Sequence, residues 1–303
     1  MRNGLPFISV IIPTYSRPES LRRCLEAVAQ LDYPRDSFEV IVMDDGGNVP
    51  LEEKIAPFSQ SLDLKMFRQS NAGPATARNL AAGQAKGELL AFTDDDCEVM
   101  ADWLEKMAKH HAVCPQTAVG GKTLNADPGN IFSTASQFLI DYLYDYYHEG
   151  ESKELRFFCS NNFAFPADLF RQIGGFDPSF PFAAGEDREL CARWQHHGFS
   201  MVYDEEMKVY HKQSLTGLKF LKQQFNYGRG AFHFHRIRKR HFQKSVQMEP
   251  LKFYLDLIHF PFLKASFNQA LLLSFLFVIS QMANAAGFFW ESFQQGSNNV
   301  MSE

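Results

Sequence analysis

No Cys-x-x-Cys pair, no Gly-x-x-x-x-Gly-Lys-Ser/Thr loop and no Gly-x-Gly-x-x-Gly fingerprint occurs anywhere in the 303 residues. The five cysteines (Cys24, Cys97, Cys114, Cys159, Cys191) are odd in number and scattered. These absences argue against a disulfide framework, a structural zinc, P-loop hydrolysis of ATP and dinucleotide chemistry. Internal repeats and low-complexity tracts are lacking too. The N-terminus enters an apolar run at Phe7 without a basic region, apolar core and small-residue cleavage site, so no export is expected and the catalytic region should sit in a reducing, cytosolic setting. Acidic residues vanish between Lys208 and Gln247, where ten Lys or Arg stand with no Asp or Glu. The formal net charge is −5, so the rest is strongly acidic, an acidic body with a basic arm. Such an arm needs an anionic partner; nucleic acid, anionic lipid and lipid diphosphate all qualify. Formal charge is missing altogether from Ala265 to Trp290, a stretch containing Leu271–Ile279 and long enough to span a bilayer, though Asn268, Gln269, Gln281 and Asn284 dilute it. It could be one transmembrane helix, a helix lying in the interface, or a buried helix of a soluble dimer. The basic residues before it (Arg236, Arg238, Lys239, Arg240, Lys244, Lys252, Lys264) match the positive-inside bias and put the main body in the cytoplasm.

What is present begins with short apolar runs. Phe7–Ile12, Phe38–Met43 and Glu88–Phe92 read as strands buried on both faces, and Leu64–Phe67 as a weaker one. Ser20–Gln30 and Pro74–Gln84 carry helical spacing between them, with Pro74 suited to a first turn. Alternating buried strands and crossover helices predict an α/β fold with a doubly wound, mostly parallel central sheet. Farther on, the sequence predicts a helix over Trp103–His111, a strand near Ala118, a strand at Phe163–Phe165, a tight turn at Gly174–Pro178 and a helix over Glu186–His197. The aromatic run Phe138–Tyr147 reads first as packing and second as an acceptor surface.

In sheets of this kind ligands bind beyond the carboxyl ends of the strands. Three polar turns fall there: Pro13-Thr-Tyr-Ser-Arg17, Asp44-Asp-Gly-Gly47 and Asp94-Asp-Asp96. Three consecutive carboxylates after a buried strand repel one another unless a cation neutralises them, and a divalent metal that prefers hard oxygen donors suits a diphosphate ligand.

Val10–Arg17 (VIIPTYSR), Met43–Gly46 (MDDG), Asn71–Asn79 (NAGPATARN), Phe92–Asp96 (FTDDD), Asn161-Asn162-Phe, Gly174–Asp177 (GGFD) and Gly185-Glu-Asp187, in this order, resemble a family 2 glycosyltransferase of the membrane-associated bacterial type. The resemblance runs from Ser9 to about His211 and implies the GT-A fold, followed here by C-terminal helices. It also implies site residues. Pro13, Thr14 and Tyr15, with Arg17 in the same turn, would line the nucleoside pocket; Asp45 would accept from the base with Asp44 beside it; Arg78 would sit near the nucleotide. Asp94 and Asp96, with Asp95 between them, would hold ribose and a Mg2+ or Mn2+ ion, and His211 stands where similar enzymes place a histidine against metal or diphosphate. Asn161, Asn162 and Gly185 would face the acceptor. Asp187 would be the general base, with Glu186 as the fallback, giving inversion in one displacement. The segment Gln223–Gly230 lacks the Gln-x-x-Arg-Trp of processive members, which favours transfer of single sugars.

The expected organisation is a transferase domain over 1–212 (nucleotide-sugar half about 1–100, acceptor half about 101–212), a basic aromatic helical arm over 213–264, an apolar helix over 265–290 and a polar tail over 291–303. Aromatics interleaved with Arg229, Arg236, Arg238, Lys239 and Arg240 superficially resemble an RNA-binding surface. Placed before an apolar helix, they read instead as a membrane-surface arm, and no nucleic acid is expected. The expectation is a metal-dependent inverting glycosyltransferase on the cytoplasmic face of the inner (plasma) membrane, single-pass or peripheral, joining a sugar from a UDP-sugar to a glycan or lipid-linked acceptor of cell-surface polysaccharide. The rivals are a sugar-nucleotide nucleotidyltransferase and a non-catalytic nucleotide-sugar-binding membrane protein.

Overall fold

A computed structural model describes residues 4–149, 157–180, 182–242 and 249–300. Lys244 of the basic arm and the last three residues of the polar tail lie outside them. The chain forms two compact units, one built from residues 1–126, 156–183 and 187–212, the other from 127–155, 184–186 and 213–303.

In the first unit, β1 (Ile8–Thr14), β2 (Phe38–Asp44) and β4 (Leu89–Phe92) are buried at every position, as continuous apolar runs require. With β3 (Leu64–Arg68) they form a parallel half-sheet in the order β3-β2-β1-β4. Its register sets Thr14 opposite Asp44 and Asp44 opposite Arg68, so the strand ends line up in one row. Helices α1 (Pro18–Val28), α2 (Glu52–Ile55) and α3 (Pro74–Gln84) connect these strands, and α1 and α3 each begin with the proline that tolerates a first turn.

The sheet continues beyond β4 as β7-β6-β8-β5, giving eight strands. β7 (Phe163–Pro166) is antiparallel to β4 and β6 (Ala118–Asn125) to β7, whereas β8 (Met201–His211) runs parallel to β6 with a register shift at Gly121/Lys122. β5 (Cys97–Val99), which follows the Asp triplet at once, pairs antiparallel with the end of β8, setting Cys97 opposite His211. That pairing carries His211 to the triplet. At the bulge a Cβ on Gly121 would lie 2.0 Å from the Met207 carbonyl oxygen, so only glycine fits there. The outer helices are α4 (Trp103–Val113), α6 (Ala167–Gln172) and α7 (Glu186–His196).

One core lies between the sheet and α1 and α4, joining Leu21, Cys24, Leu25 and Val28 to Trp103, Leu104 and Met107. Another is aromatic: Phe163, Phe170 and Phe176 ring Phe92 at 5.4–5.5 Å between centroids. At the far edge from the strand ends, Glu39 is wholly buried and holds four segments, accepting from Ser9 Oγ (2.8 Å), Lys86 N (2.7 Å) and Lys65 Nζ (2.6 Å).

The second unit is helical: α5 (Ile131–Tyr144), α8 (Gly217–Phe242), α9 (Leu251–His259), α10 (Pro261–Lys264) and α11 (Phe267–Val300). The aromatic run on α5 is packing: Tyr142 meets Phe253 and Phe260, and its hydroxyl donates to the Phe253 carbonyl at 2.6 Å. α11 lies along α8 at backbone contact. A Cβ on Gly228 would be 1.8 Å from the Asn284 carbonyl oxygen, and one on Gly287 would be 1.9 Å from that of Phe225. Arg229 (2.7 Å) and His233 (3.0 Å) of α8 then meet the buried Glu291 of α11.

Candidate functional site

The β4 strand ends against Ile11 through Thr93, and the next three residues turn their carboxylates in three directions. Asp95 points inward with 0 % exposure; it accepts from Thr14 Oγ1 at 2.6 Å and from Arg17 Nε at 3.1 Å. Burial pushes its carboxyl up to about 7, with Arg17 opposing and Asp96 adding to the rise. Asp96 lies between Arg17 Nη1 (2.6 Å) and His211 Nε2 (3.1 Å). Burial would raise its carboxyl, but His211 and Arg17 outweigh it and hold Asp96 well below the usual carboxylate range. His211 shifts the opposite way: burial pulls the imidazole down, Asp96 outweighs that, and the net is a rise. Asp94 receives Arg78 Nη2 at 2.7 Å. The chain therefore supplies its own cations to the triplet, and Asp95 acts on Thr14 and Arg17 rather than lining an open surface.

Asp96, Cys97 and His211 bring ligand atoms within 4.8 Å of one another. Cys97 is a core side chain whose thiol burial pushes well above its ordinary value, so it offers no thiolate. The carboxylate and imidazole left over, with Asp94 beside them, fit a magnesium or manganese ion rather than a thiophilic one.

At the end of β2, Asp44 caps its own turn, accepting from Gly47 N at 2.9 Å, with Arg68 Nε 3.4 Å away. Asp45 accepts from Ala72 N (2.8 Å) and Gly73 N (3.0 Å), and from the side chains of Gln69 and Asn71. It organises the loop that leads into α3, and a base ring would be an additional partner. Pro13 is buried in β1, whereas the Tyr15 ring is largely exposed at the strand end.

Arg78 is buried, stands 5.4 Å over the Phe176 ring, and acts electrostatically on Asp187 as well as pairing with Asp94. Asp187 accepts from Arg188 N at 2.7 Å and from the Ser160 backbone. Burial raises its carboxyl, with those donors and Arg78 pulling the other way. Gly185 sits at φ 92 in the left-handed region and Glu186 is buried. Asn161 Oδ1 accepts from Thr123 Oγ1 at 2.9 Å and its amide lies 3.4 Å from His211 Nδ1. Asn162 corrects an expectation. Its side chain, 0 % exposed, accepts from Trp103 Nε1 (2.8 Å) and donates to the Met207 (2.8 Å) and Lys122 (3.0 Å) carbonyls. It braces the β6 bulge and has no polar atom directed at an acceptor. Arg68, which pairs with Asp44, was not singled out from the sequence, where it carries no signal.

The family model for glycosyl transferase family 2 matches residues 9–174. The chain is 30% identical over 236 residues to glycosyltransferase AglE of Haloferax volcanii, covering 76% of this chain and 74% of that protein. It is 28% identical over 233 residues to a validoxylamine A glucosyltransferase of Streptomyces hygroscopicus, with 67% of this chain but only 54% of that protein covered. In fold it is similar to the mannosyltransferase PcManGT of Pyrobaculum calidifontis, solved with GDP-Man and Mn2+ (TM-score 0.66, 17% identity, 95% of this chain and 88% of that one). A second likeness is TarS 1–349 of S. aureus with UDP-GlcNAc (TM-score 0.54, 18% identity, 95% and 92% covered).

Proposed function

The chain belongs to glycosyl transferase family 2, and on that premise we propose that it moves one sugar from a nucleotide-sugar to a hydroxyl of a glycan or lipid-linked acceptor with inversion. The observation that carries this reading is the acidic row at the strand ends, with Asp94 on Arg78, Asp95 on Thr14 and Arg17, and Asp96 between Arg17 and His211. Most of the site sits in the first unit, so residues 1–212 act as the transferase, apart from the segments 127–155 and 184–186.

The nucleoside would lie against Tyr15 and the Asp44–Asp45 turn. Asp96 and His211, with Asp94 beside them, would hold a magnesium or manganese ion, whose charge offsets that gathering on the departing diphosphate. Asp187 takes the proton from the acceptor hydroxyl as its oxygen attacks the anomeric carbon opposite the leaving group. A carboxyl raised by burial is the stronger base for that step once ionised. Glu186, buried next to it in the chain, is the fallback base. The favoured donor is a UDP-sugar by the family resemblance alone, since one similar fold was solved with UDP-GlcNAc and another with GDP-Man.

The second unit meets the cytoplasmic membrane surface, and its geometry favours lying in the interface over spanning. Phe267–Gln295 is long and apolar enough to cross a bilayer. Packed against α8, however, it meets Arg229 at Glu291 and Arg236 at Gln295, so two guanidiniums lie at the end of that stretch, where a membrane surface accommodates them. The outward face of α11 is apolar at Phe267, Leu271, Phe275, Val278, Met282 and Phe289, and Lys252, Lys264, Lys239 and Arg240 are exposed within the same unit. That combination fits an anionic lipid surface.

A thermal-shift screen of nucleotide-sugars with and without Mn2+ tests the transferase reading. The cognate donor at 100 times its Kd should stabilise the fold by about 2.7 kcal/mol, and only with metal present. If no nucleotide-sugar shifts the melting temperature with metal, the reading is lost; if one binds but no acceptor is ever glycosylated, a non-catalytic binder takes its place.

A further inference from the structure

Arg17 makes three contacts with two carboxylates. Nε and Nη2 reach Asp95 at 3.1 and 2.6 Å, and Nη1 reaches Asp96 Oδ2 at 2.6 Å. The other Asp96 oxygen faces His211 Nε2 at 3.1 Å. Both oxygens thus have a partner from the chain, and an incoming divalent cation meets a carboxylate already neutralised. Of the two partners, His211 has 16 % of its side chain exposed and Arg17 has 48 %, so Arg17 is the one that can depart without opening the core.

The loop that delivers Arg17 is held in place. Ser16, with φ 54, is the one non-glycine in the left-handed region among the described residues. Its hydroxyl accepts from Asn48 N at 3.2 Å, and a Cβ on Gly47 would lie 2.7 Å from Ser16 N. Such a backbone is strained for a residue with a side chain and persists only where neighbours enforce it. The constraint aims Arg17 at the acidic pair.

We propose that Arg17 is a resident counter-cation, which holds Asp95 and Asp96 closed to metal alone and leaves them when a nucleoside diphosphate offers its guanidinium a better anionic partner. This rests on the reading of Asp96 and His211 as metal ligands. A planar guanidinium grips a carboxylate with two parallel donors, and a diphosphate presents the same fork with more charge. Donor and metal then assist one another's binding, because the departure of Arg17 is shared between them.

The full chain is titrated with Mn2+, following unbound Mn2+ by electron paramagnetic resonance, with and without UDP. The variants are Arg17→Gln, Arg17→Lys and Asp96→Asn. Without UDP, Arg17→Gln should bind Mn2+ about tenfold more tightly than the unaltered chain, roughly 1.4 kcal/mol, and the gain in Mn2+ affinity on adding UDP should shrink by a similar factor. Arg17→Lys, which keeps the charge and loses the fork, should fall between. Unchanged or weaker Mn2+ binding by Arg17→Gln, with a cooperative melt, overturns the inference. If that variant does not fold, Arg17→Lys decides alone, and an unaltered UDP effect overturns it. Equal Mn2+ uptake by Asp96→Asn and the unaltered chain removes the ligand assignment and this inference with it.

Discussion

Replacing Asp187 by Asn separates chemistry from folding. The asparagine oxygen can keep accepting from Arg188 N, now 2.7 Å from the carboxylate, and from the Ser160 backbone, so the start of α7 should hold its place. What disappears is the ability to take a proton. Loss of a positioned general base lowers kcat by about 10²–10⁴-fold, or ~3–5 kcal/mol of barrier. Stability should move the other way. A carboxyl whose pKa burial has raised contributes stability that is present at low pH and is lost as pH rises through the raised value. At pH 8 the neutral amide should therefore melt no lower than the unaltered chain. The same raised pKa sets the acid limb of kcat/KM: rate falls as pH drops through it, at a pH above the ordinary aspartate value of about 3.9. The assays are sugar transfer at saturating donor and metal, donor affinity by calorimetry, and melting at pH 8. A kcat within tenfold of the unaltered enzyme at unchanged donor affinity refutes the assignment of the base.

Three other outcomes follow from the packing. Glu39→Gln should lose about 1–3 kcal/mol at pH 7, because three donors lose a charged acceptor. Although burial acts against it, the Lys65, Lys86 and Ser9 contacts hold the Glu39 carboxyl below its usual value, so this stability is present above about pH 4.3 and fades as pH falls through the lowered value; a deficit in urea unfolding that stays constant with pH would contradict it. Gly287→Ala puts a methyl 1.9 Å from the Phe225 carbonyl oxygen and should destabilise by about 1–3 kcal/mol, whereas Gly83→Ala, with nothing within 4 Å, should be neutral or gain up to ~1 kcal/mol. In flotation with vesicles, the chain should rise with anionic ones and be released by salt, and protease added outside should leave no protected fragment of α11; a protected fragment would mean that it spans.

Where one force governed a segment, the sequence was readable. The continuous apolar runs of β1, β2 and β4 had no other way to bury both faces, and Pro74 marked the start of α3. β5 and α6 were illegible because each is too short for a period, and β5 exists only through its pairing with the end of β8. The acidic triplet was legible as a cluster at a strand end but not in its division of labour. Which carboxylate turns inward depends on Thr14 and Arg17, some eighty residues earlier in the chain. Asn162 misled for a similar reason: an Asn-Asn pair reads as polar and accessible, yet Trp103 and the β6 bulge bury its second member entirely.

Three adjacent carboxylates remain together at a strand end because each has a neutralising partner from elsewhere in the chain. Asp95 has Thr14 and Arg17 in the interior, Asp94 has Arg78, and Asp96 has His211 on one oxygen and Arg17 on the other. Of these partners Arg78 is buried, so moving it would open the core. Arg17 is shared within the triplet and half exposed. A ligand that competes for guanidinium charge can therefore displace Arg17 alone, leaving Arg78 on Asp94 while Asp96 changes partners.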